Sequence, residues 1–325
     1  MYRFMTAAGC AALGFLIAQP AMAACSLSTQ PIPVKIVAGR PMIDVKVNGK
    51  TGHFLIDSAT AVNLMSTKFA DSQKLTASKV SNASVVKAPQ FEFAGVSLKD
   101  VPFVTQQLPD TDGVIGQTFL HQGDAEYDLG GAPDAASVRL AQAVGCEGSN
   151  MAYWAKEGDT FYEAALTPSA APLTMVEVVV NGVKLRGLLS SGKPYTTITE
   201  KAAAKAGVKT TDAGVKTLGS SPMKSWLATF NSVIVGNEET KSAPLEVDAT
   251  SDDFYDVLIG ADFFTAHHLY VANSQQKIYF TRSGNPSAAV FMAHGPLSVG
   301  QIPGAHGGGR LQDHFSPGSS GGTTN

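Results

Sequence analysis

Two stretches of the chain carry the same alternation of hydrophobic and polar positions. The first occupies residues 42–49 and 53–59, and the second occupies residues 175–182 and 186–192. In each stretch, alternating apolar residues predict a strand, an Asn-Gly pair predicts a tight turn, and an apolar run predicts the returning strand. The sequence therefore predicts two similar β-hairpins, one in each half of the chain.

The repeat continues beyond the hairpins. Ser66 and Thr199 each precede a short run suited to a helix, and their hydroxyls can serve as N-caps. Farther along, residues 112–120 and 256–264 share a pair of apolar residues followed by Gly and then by a second apolar segment. Because a pattern that recurs in both halves predicts two similar structural units, we expect a mostly β protein with two lobes and short helices.

This order of motifs resembles the retropepsin-like aspartic proteases. The family has an apolar strand that leads into Asp-Thr/Ser-Gly-Ala, and later two apolar residues and Gly ahead of a short helix. The resemblance spans residues 33–281. It implies two tandem retropepsin-like β-barrel lobes of the acid-protease type, which we place at residues 24–152 and 153–282.

The resemblance gives roles to two turns of the chain. Asp57 stands at the first catalytic position, and Ser58 stands at the hydroxyl position that in the family bonds across to the other lobe. Ser190 stands where the second catalytic aspartate belongs. Ala59 replaces a Gly that lets two backbone turns approach closely, so we expect a looser turn there. The positions expected to contact a substrate are Ser58, Ala59, Ser191 and Gly192.

The chemistry of such a site needs two carboxylates. Two carboxylates about 3 Å apart share one proton, so that one activates a water and the other donates to the substrate carbonyl. A serine hydroxyl has no pKa near neutral pH through which it could shuttle a proton, so Ser190 removes this shared-proton device. The sequence therefore predicts a catalytically impaired aspartic-peptidase homologue, a pseudopeptidase, whose cleft binds an extended peptide or protein segment.

Two other functions stay open. One is an active aspartic endopeptidase that uses Asp57 with Ser190, or that forms a homodimer in which two Asp57 residues meet. The homodimer is not favoured, because it must displace the second lobe from its own partner. The other is a purely structural exported domain.

Four further aspartates flank the Gly motifs. Asp110 and Asp112 lack a preceding apolar strand, so we predict a polar turn rather than a replacement catalytic acid. Asp256 and Asp262 are likewise predicted to be structural.

A serine-lysine pattern offers a rival from another enzyme class. Residues 190–193 fit S-x-x-K and residues 50–52 fit K-T-G, as in penicillin-binding enzymes. Pro194 disfavours the helix that S-x-x-K needs, and the two motifs stand in the reverse order. We therefore interpret the match as coincidence.

The two ends of the chain predict export. Residues 1–23 fit a signal peptide, with Arg3 at the basic start and Ala-Met-Ala before the cleavage site. Residues 283–325 are rich in Gly, Ser and Pro and are predicted to be disordered. A periplasmic or secreted location follows from the signal peptide.

The cysteines indicate the redox environment of the protein, and the net charge indicates which partners are not expected. Cys25 and Cys146 remain after cleavage, and an even pair in an exported protein predicts a disulfide; the alternatives are two separate thiols or a lipid-modified Cys25. The net charge of -3 does not indicate a nucleic-acid partner. No apolar run of the mature part is long enough to span a membrane. We expect no cofactor and no metal site, because neither cysteine has nearby ligand spacing.

Overall fold

The structure is a computed structural model of the 325-residue chain, and it describes residues 25–131, 135–218, 224–249, 253–283 and 289–292. The predicted signal peptide and most of the predicted tail lie outside the described residues. The described part is mostly β, with four short helices, which confirms the predicted fold class.

Lobe one is a sheet that closes on itself. Its strands are β2 (Lys35–Val37), β3 (Arg40–Val47), β4 (Lys50–Ile56), β5 (Leu64–Ser66), β6 (Ser78–Val80), β7 (Ala83–Phe93), β8 (Val96–Gln106) and β9 (Gly113–Ile115). Their order is β2-β3-β4-β9-β5-β8-β7-β6, and β3 also pairs with β7. This extra pairing closes the strands from β3 to β7 into a barrel.

Lobe two repeats this arrangement. Its strands are β13 (Met175–Val180), β14 (Val183–Leu189), β15 (Thr197–Thr199), β16 (Lys216–Thr217), β17 (Ser225–Val235), β18 (Glu238–Asp248) and β19 (Val257–Ile259). Their order is β13-β14-β19-β15-β18-β17-β16, and β13 also pairs with β17. The second barrel therefore closes in the same way as the first.

A third sheet joins the two lobes. It contains β1 (Ser26–Pro33), β10 (Asp124–Asp128), β11 (Ser137–Val144), β12 (Phe161–Ala165), β20 (His267–Ala272) and β21 (Lys277–Arg282). Its order is β1-β11-β10-β20-β21-β12, so that β10 from the first half pairs with β20 from the second. The strands after residue 266 thus belong to this shared sheet rather than to the barrel of lobe two.

The local signals predicted from the sequence produce the expected structures. Asn48 and Asn181 adopt positive φ in the hairpin turns, as a tight Asn-Gly turn requires. The Ser66 hydroxyl accepts a hydrogen bond from an amide of α1 (Thr67–Ser72), and Thr199 does the same for α3 (Glu200–Lys205). The other two helices are α2 (Gln117–Leu120) and α4 (Ala261–Ala266), and each follows the Gly of its motif.

One part of the predicted disordered tail is packed. Val290 and Phe291 are 1% and 2% exposed and belong to the hydrophobic core. The amide of Met292 donates to the buried carboxylate of Asp262 at 3.3 Å. The composition of residues 283–325 predicted disorder throughout, and this prediction is wrong for residues 289–292, because two large apolar side chains find a core surface there.

Candidate active site

Each candidate turn leaves the end of a central strand. The Asp57 amide follows β4 and donates to the carbonyl of Ile115 on β9 at 3.0 Å. The Ser190 amide follows β14 and donates to the carbonyl of Ile259 on β19 at 2.8 Å. The two turns are therefore held by equivalent strand pairings, and Asp57 and Ser190 occupy equivalent positions 133 residues apart.

The two turns are linked by a reciprocal set of hydrogen bonds. The Ser58 hydroxyl donates to the carbonyl of Leu189 at 2.8 Å, and the Ser191 hydroxyl donates to the carbonyl of Ile56 at 2.8 Å. Each hydroxyl also accepts the backbone amide of the other serine, at 3.1 and 3.2 Å. Both serines are buried. We call these four hydrogen bonds the serine exchange. They are related by a pseudo-twofold axis, and they fix the distance between the lobes at the site.

The Asp57 carboxylate lies at the centre of this arrangement and is partly exposed. Its Oδ1 accepts the Ser190 hydroxyl at 2.9 Å, the Ala59 amide at 3.0 Å and the Gly192 amide at 3.2 Å. Its Oδ2 accepts the Thr60 hydroxyl at 2.7 Å. Four donors therefore hold one carboxylate in place, and the donor from lobe two is a hydroxyl.

The positions of Ala59 and Gly192 are not equivalent in their surroundings. A Cβ built on Gly192 would lie 2.6 Å from Cγ of Asp57, too close for two carbon atoms. The pseudo-twofold relation places Ala59 opposite Ser190, whose side chain ends at the γ position. The expected loosening by Ala59 is not seen, since the serine exchange keeps distances of 2.8–3.2 Å.

Three residues at the site were not found from the sequence. Thr60 holds Oδ2 of Asp57, and its only sequence signal is a hydroxyl three residues after the aspartate. The buried Gln117 amide group donates to the carbonyl of Ser58 at 2.7 Å and to the Thr174 hydroxyl of lobe two at 3.4 Å. Tyr127 is fully buried nearby, and burial together with the negative charge of Asp57 raises the pKa of its phenol.

The other aspartates singled out in the sequence lie away from this pair. The Asp112 carboxylate accepts the amide of His53 at 3.0 Å. Asp256 pairs with Arg186 at 3.1 Å, and its pKa is lowered, because the Arg186 interactions outweigh the opposing effect of burial. Asp262 is buried against Thr196, whose hydroxyl donates at 2.7 Å, and burial raises its pKa. These three carboxylates brace turns, and Asp110 makes no contact with Asp57 among the hydrogen bonds of the described residues.

The serine-lysine pattern does not form a site. Residues 190–193 make a turn rather than a helix, and the Lys193 amide donates to the Ser190 hydroxyl at 3.1 Å. Lys50 begins β4, at the end opposite Asp57, and its ammonium donates to the carbonyl of Ser72. The K-T-G residues therefore lie at the far end of a lobe-one strand, whereas the S-x-x-K residues lie in the lobe-two turn beside Asp57.

The disulfide predicted from the cysteine count is present. Cys25 and Cys146 are joined, with their Cα atoms 4.3 Å apart. The bridge ties the start of β1 to the end of β11, which are paired along their whole length. Among the described residues, no helix is long and apolar enough to cross a membrane.

Comparison with known proteins agrees with this geometry. A family model described as aspartyl protease matches residues 43–119 and 176–263, which are the two barrels with their turns. The chain belongs to the aspartyl protease family. The structure of the aspartic proteinase from Irpex lacteus aligns with a TM-score of 0.53 at 10% identity, over 81% of this chain and 100% of that chain. At this identity the likeness shows the aspartic-protease fold. No curated protein matches the chain.

Proposed function

We propose that this member of the aspartyl protease family is exported, is impaired in peptide hydrolysis, and binds extended peptide segments between its lobes. The observation that carries the proposal is the contact at the pseudo-twofold centre. There the Asp57 carboxylate meets the Ser190 hydroxyl at 2.9 Å, where a second carboxylate would complete the acid-base pair.

The loss of one carboxylate removes one proton carrier. In the two-carboxylate mechanism, the ionised group activates a water and the protonated group donates to the substrate carbonyl. Proton transfer by a positioned side chain contributes about 10²–10⁴-fold to the rate. Asp57 can accept a proton from a water, but the Ser190 hydroxyl cannot supply the second transfer near neutral pH. Impaired turnover follows.

The two differences from the family pattern compensate each other. An aspartate at position 190 would bring a Cγ toward the Ala59 methyl, as a Cβ on Gly192 would meet Cγ of Asp57 at 2.6 Å. Ala59 is tolerated because Ser190 is short. A carboxylate introduced by Ser190→Asp would therefore compete with the Ala59 methyl group for the same space, so the test combines Ser190→Asp with Ala59→Gly.

The runner-up function is an active endopeptidase. A homodimer with two Asp57 residues would have to break the exchange between Ser58 and Ser191, which buries both hydroxyls. This cost leaves the single-chain Asp57–Ser190 pair as the stronger route to activity. Export is supported by the disulfide between Cys25 and Cys146.

Peptide cleavage between pH 3 and pH 8 tests the proposal. The variants are Asp57→Asn, Ser190→Asp, Ala59→Gly and the double substitution Ser190→Asp with Ala59→Gly. We expect negligible cleavage by the unchanged chain, a small gain for Ser190→Asp, and a gain of about 10²-fold or more for the double variant. Ala59→Gly alone should leave activity unchanged.

The control is Asp57→Asn in the unchanged and in the double-variant background. Cleavage by the unchanged chain that Asp57→Asn abolishes would establish the endopeptidase and reject the impaired function. Cleavage that survives Asp57→Asn would indicate a contaminant or another catalytic site. A well-folded double variant without activity would show that the cleft has diverged beyond these two positions.

A further inference from the structure

The last described segment of the chain packs on lobe two. The ring of Phe291 stacks on the ring of Phe263 in α4, with the ring centroids 6.4 Å apart. Val290 and Phe291 both belong to the main core. We call residues 289–292 the clip. Because burial of apolar side chains is the main favourable term in such packing, these two side chains dock the clip on α4.

The clip also makes a polar contact with α4. The amide of Met292 donates to Oδ2 of Asp262 at 3.3 Å, while the Met292 side chain is largely exposed. The Asp262 carboxylate is buried, and it also accepts the Thr196 amide at 3.1 Å, the Phe263 amide at 2.9 Å and the Thr196 hydroxyl at 2.7 Å. A buried carboxylate needs such donors, because they replace its lost hydration. The clip therefore supplies one of the four donors that hold Asp262.

Asp262 holds the lobe-two turn, residues 190–196, which carries one half of the candidate site. The Thr196 hydroxyl that donates to Asp262 also accepts the amide of Gly260 at 2.9 Å. The amide of Asp262 donates to the carbonyl of Pro194 at 3.1 Å. These hydrogen bonds fasten the end of the lobe-two turn to the start of α4, where the clip is docked.

Lobe one holds its equivalent turn by simpler means. Asn63 stands at the position equivalent to Thr196, and its side-chain carbonyl accepts the amide of Gly116 at 2.9 Å. Thr118 stands at the position equivalent to Asp262 in the shared motif and is exposed. Within the part of the chain that the structure describes, the buried carboxylate and the clip are thus features of lobe two alone.

We propose that the clip positions the lobe-two half of the candidate site. The docked clip fixes Asp262, and Asp262 fixes the lobe-two turn. The turn then presents the Gly192 amide and the Ser190 hydroxyl to Oδ1 of Asp57. When the clip leaves α4, Asp262 loses a donor and its cover from water, so the lobe-two turn opens more often and its contacts with Asp57 weaken. This inference holds whether the site cleaves peptides, binds them or does neither.

Amide hydrogen exchange of the full chain, measured by NMR, tests the coupling at three amides. The Thr196 amide reports on the end of the lobe-two turn beside the clip, and the Gly192 amide reports on the contact between the lobes. The Gly116 amide reports on the equivalent turn of lobe one. We expect Phe291→Ala to make exchange at Thr196 and Gly192 about tenfold faster or more, because local opening becomes less costly, and to leave exchange at Gly116 unchanged.

The matched control is Met292→Ala, which shortens an exposed side chain and keeps the amide that donates to Asp262. It should leave all three exchange rates unchanged. Val290→Ala removes less buried volume than Phe291→Ala, so it should give a smaller change at the same two amides. It carries the test if Phe291→Ala does not fold.

The pattern of exchange rates decides the proposal. Faster exchange at Thr196 and Gly192, with unchanged exchange at Gly116, would establish the clip as a positioning segment. Faster exchange at all three amides would show a general loss of stability and overturn the proposal. A change at Thr196 that does not reach Gly192 would also overturn it, as would unchanged rates in both clip variants.

Discussion

At the residue scale, Gly192 leaves no room for a side chain of its own beside Asp57. A Cβ at this position would lie 2.6 Å from Cγ of Asp57 and 3.0 Å from Oδ1. We predict that Gly192→Ala lowers the free energy of unfolding by about 1–3 kcal/mol, the usual cost of overpacking. Urea denaturation measures this change in the free energy of unfolding.

The control for Gly192→Ala is the reverse change at the equivalent position of lobe one. Ala59 is not among the residues with positive φ, so Ala59→Gly should cost less than about 1 kcal/mol, mainly through the entropy of the unfolded chain. Equal costs for the two substitutions would contradict the asymmetry that we describe between the turns.

The sequence predicted part of this site. The repeat identified Asp57, Ser58 and Ser190, because each occupies a fixed place in a motif, and the structure brings them together; their roles in catalysis or binding stay predictions. Thr60 and Gln117 could not be found in this way. Their contacts depend on a turn geometry and on a neighbouring strand that only the folded lobe supplies.

At the element scale, the sheet shared by the two lobes contains a buried carboxylate that contacts three other segments. Glu126 on β10 is fully buried and accepts from Arg139 of β11, from His268 of β20 at 2.7 Å and from the Tyr153 hydroxyl. Trp154 stacks on the His268 ring at 3.7 Å. Burial by itself would raise the pKa of Glu126, but the hydrogen bonds and the charge of Arg139 bring it below its usual value of 4.5.

The lowered pKa predicts a loss of stability in acid. A carboxyl whose pKa is lower in the folded state stabilises the fold above its unfolded pKa, and this contribution is lost as the pH falls through the folded pKa. We predict that Glu126→Gln lowers the free energy of unfolding by about 1.5–3 kcal/mol at pH 7, the value of hydrogen bonds to a charged group, and that the difference shrinks below pH 4.5.

Urea denaturation from pH 2.5 to pH 7 measures this difference. The control is Glu177→Gln, because Glu177 makes a partly exposed pair with Lys184, and exposed pairs contribute about 0–1 kcal/mol. A Glu126→Gln difference that stays constant down to pH 2.5 would be inconsistent with a lowered pKa.

The elements differ in how far sequence could predict them. The hairpins at Asn48 and Asn181 and the caps at Ser66 and Thr199 were predicted correctly, because each needs only neighbouring residues. The pairing of β10 with β20 was not, since it joins segments from the two halves of the chain and leaves no local pattern. Val290 and Phe291 were missed for a similar reason. Their burial depends on a core surface formed by lobe two.

At the scale of the whole molecule, the disulfide closes the first half of the chain. Cys25 and Cys146 are 121 residues apart in sequence, and the bridge joins the two ends of the segment that contains lobe one. A crosslink that closes a loop of this length restricts the unfolded chain and typically stabilises the fold by about 2–4 kcal/mol. The folded geometry makes little demand on the bridge, because β1 and β11 already pair from Ser26 to Pro33.

We therefore predict that replacing both cysteines by serine lowers the free energy of unfolding by about 2–4 kcal/mol and leaves the fold intact. Urea denaturation of the purified protein under oxidising conditions measures this, with circular dichroism as the check on structure. Treatment of the unchanged chain with dithiothreitol supplies the matched control, since it should reproduce the midpoint of the double variant without altering that variant further. If dithiothreitol leaves the unchanged chain as stable as before, the bridge does not form in the purified protein, and the support that it gives to the proposed export is lost.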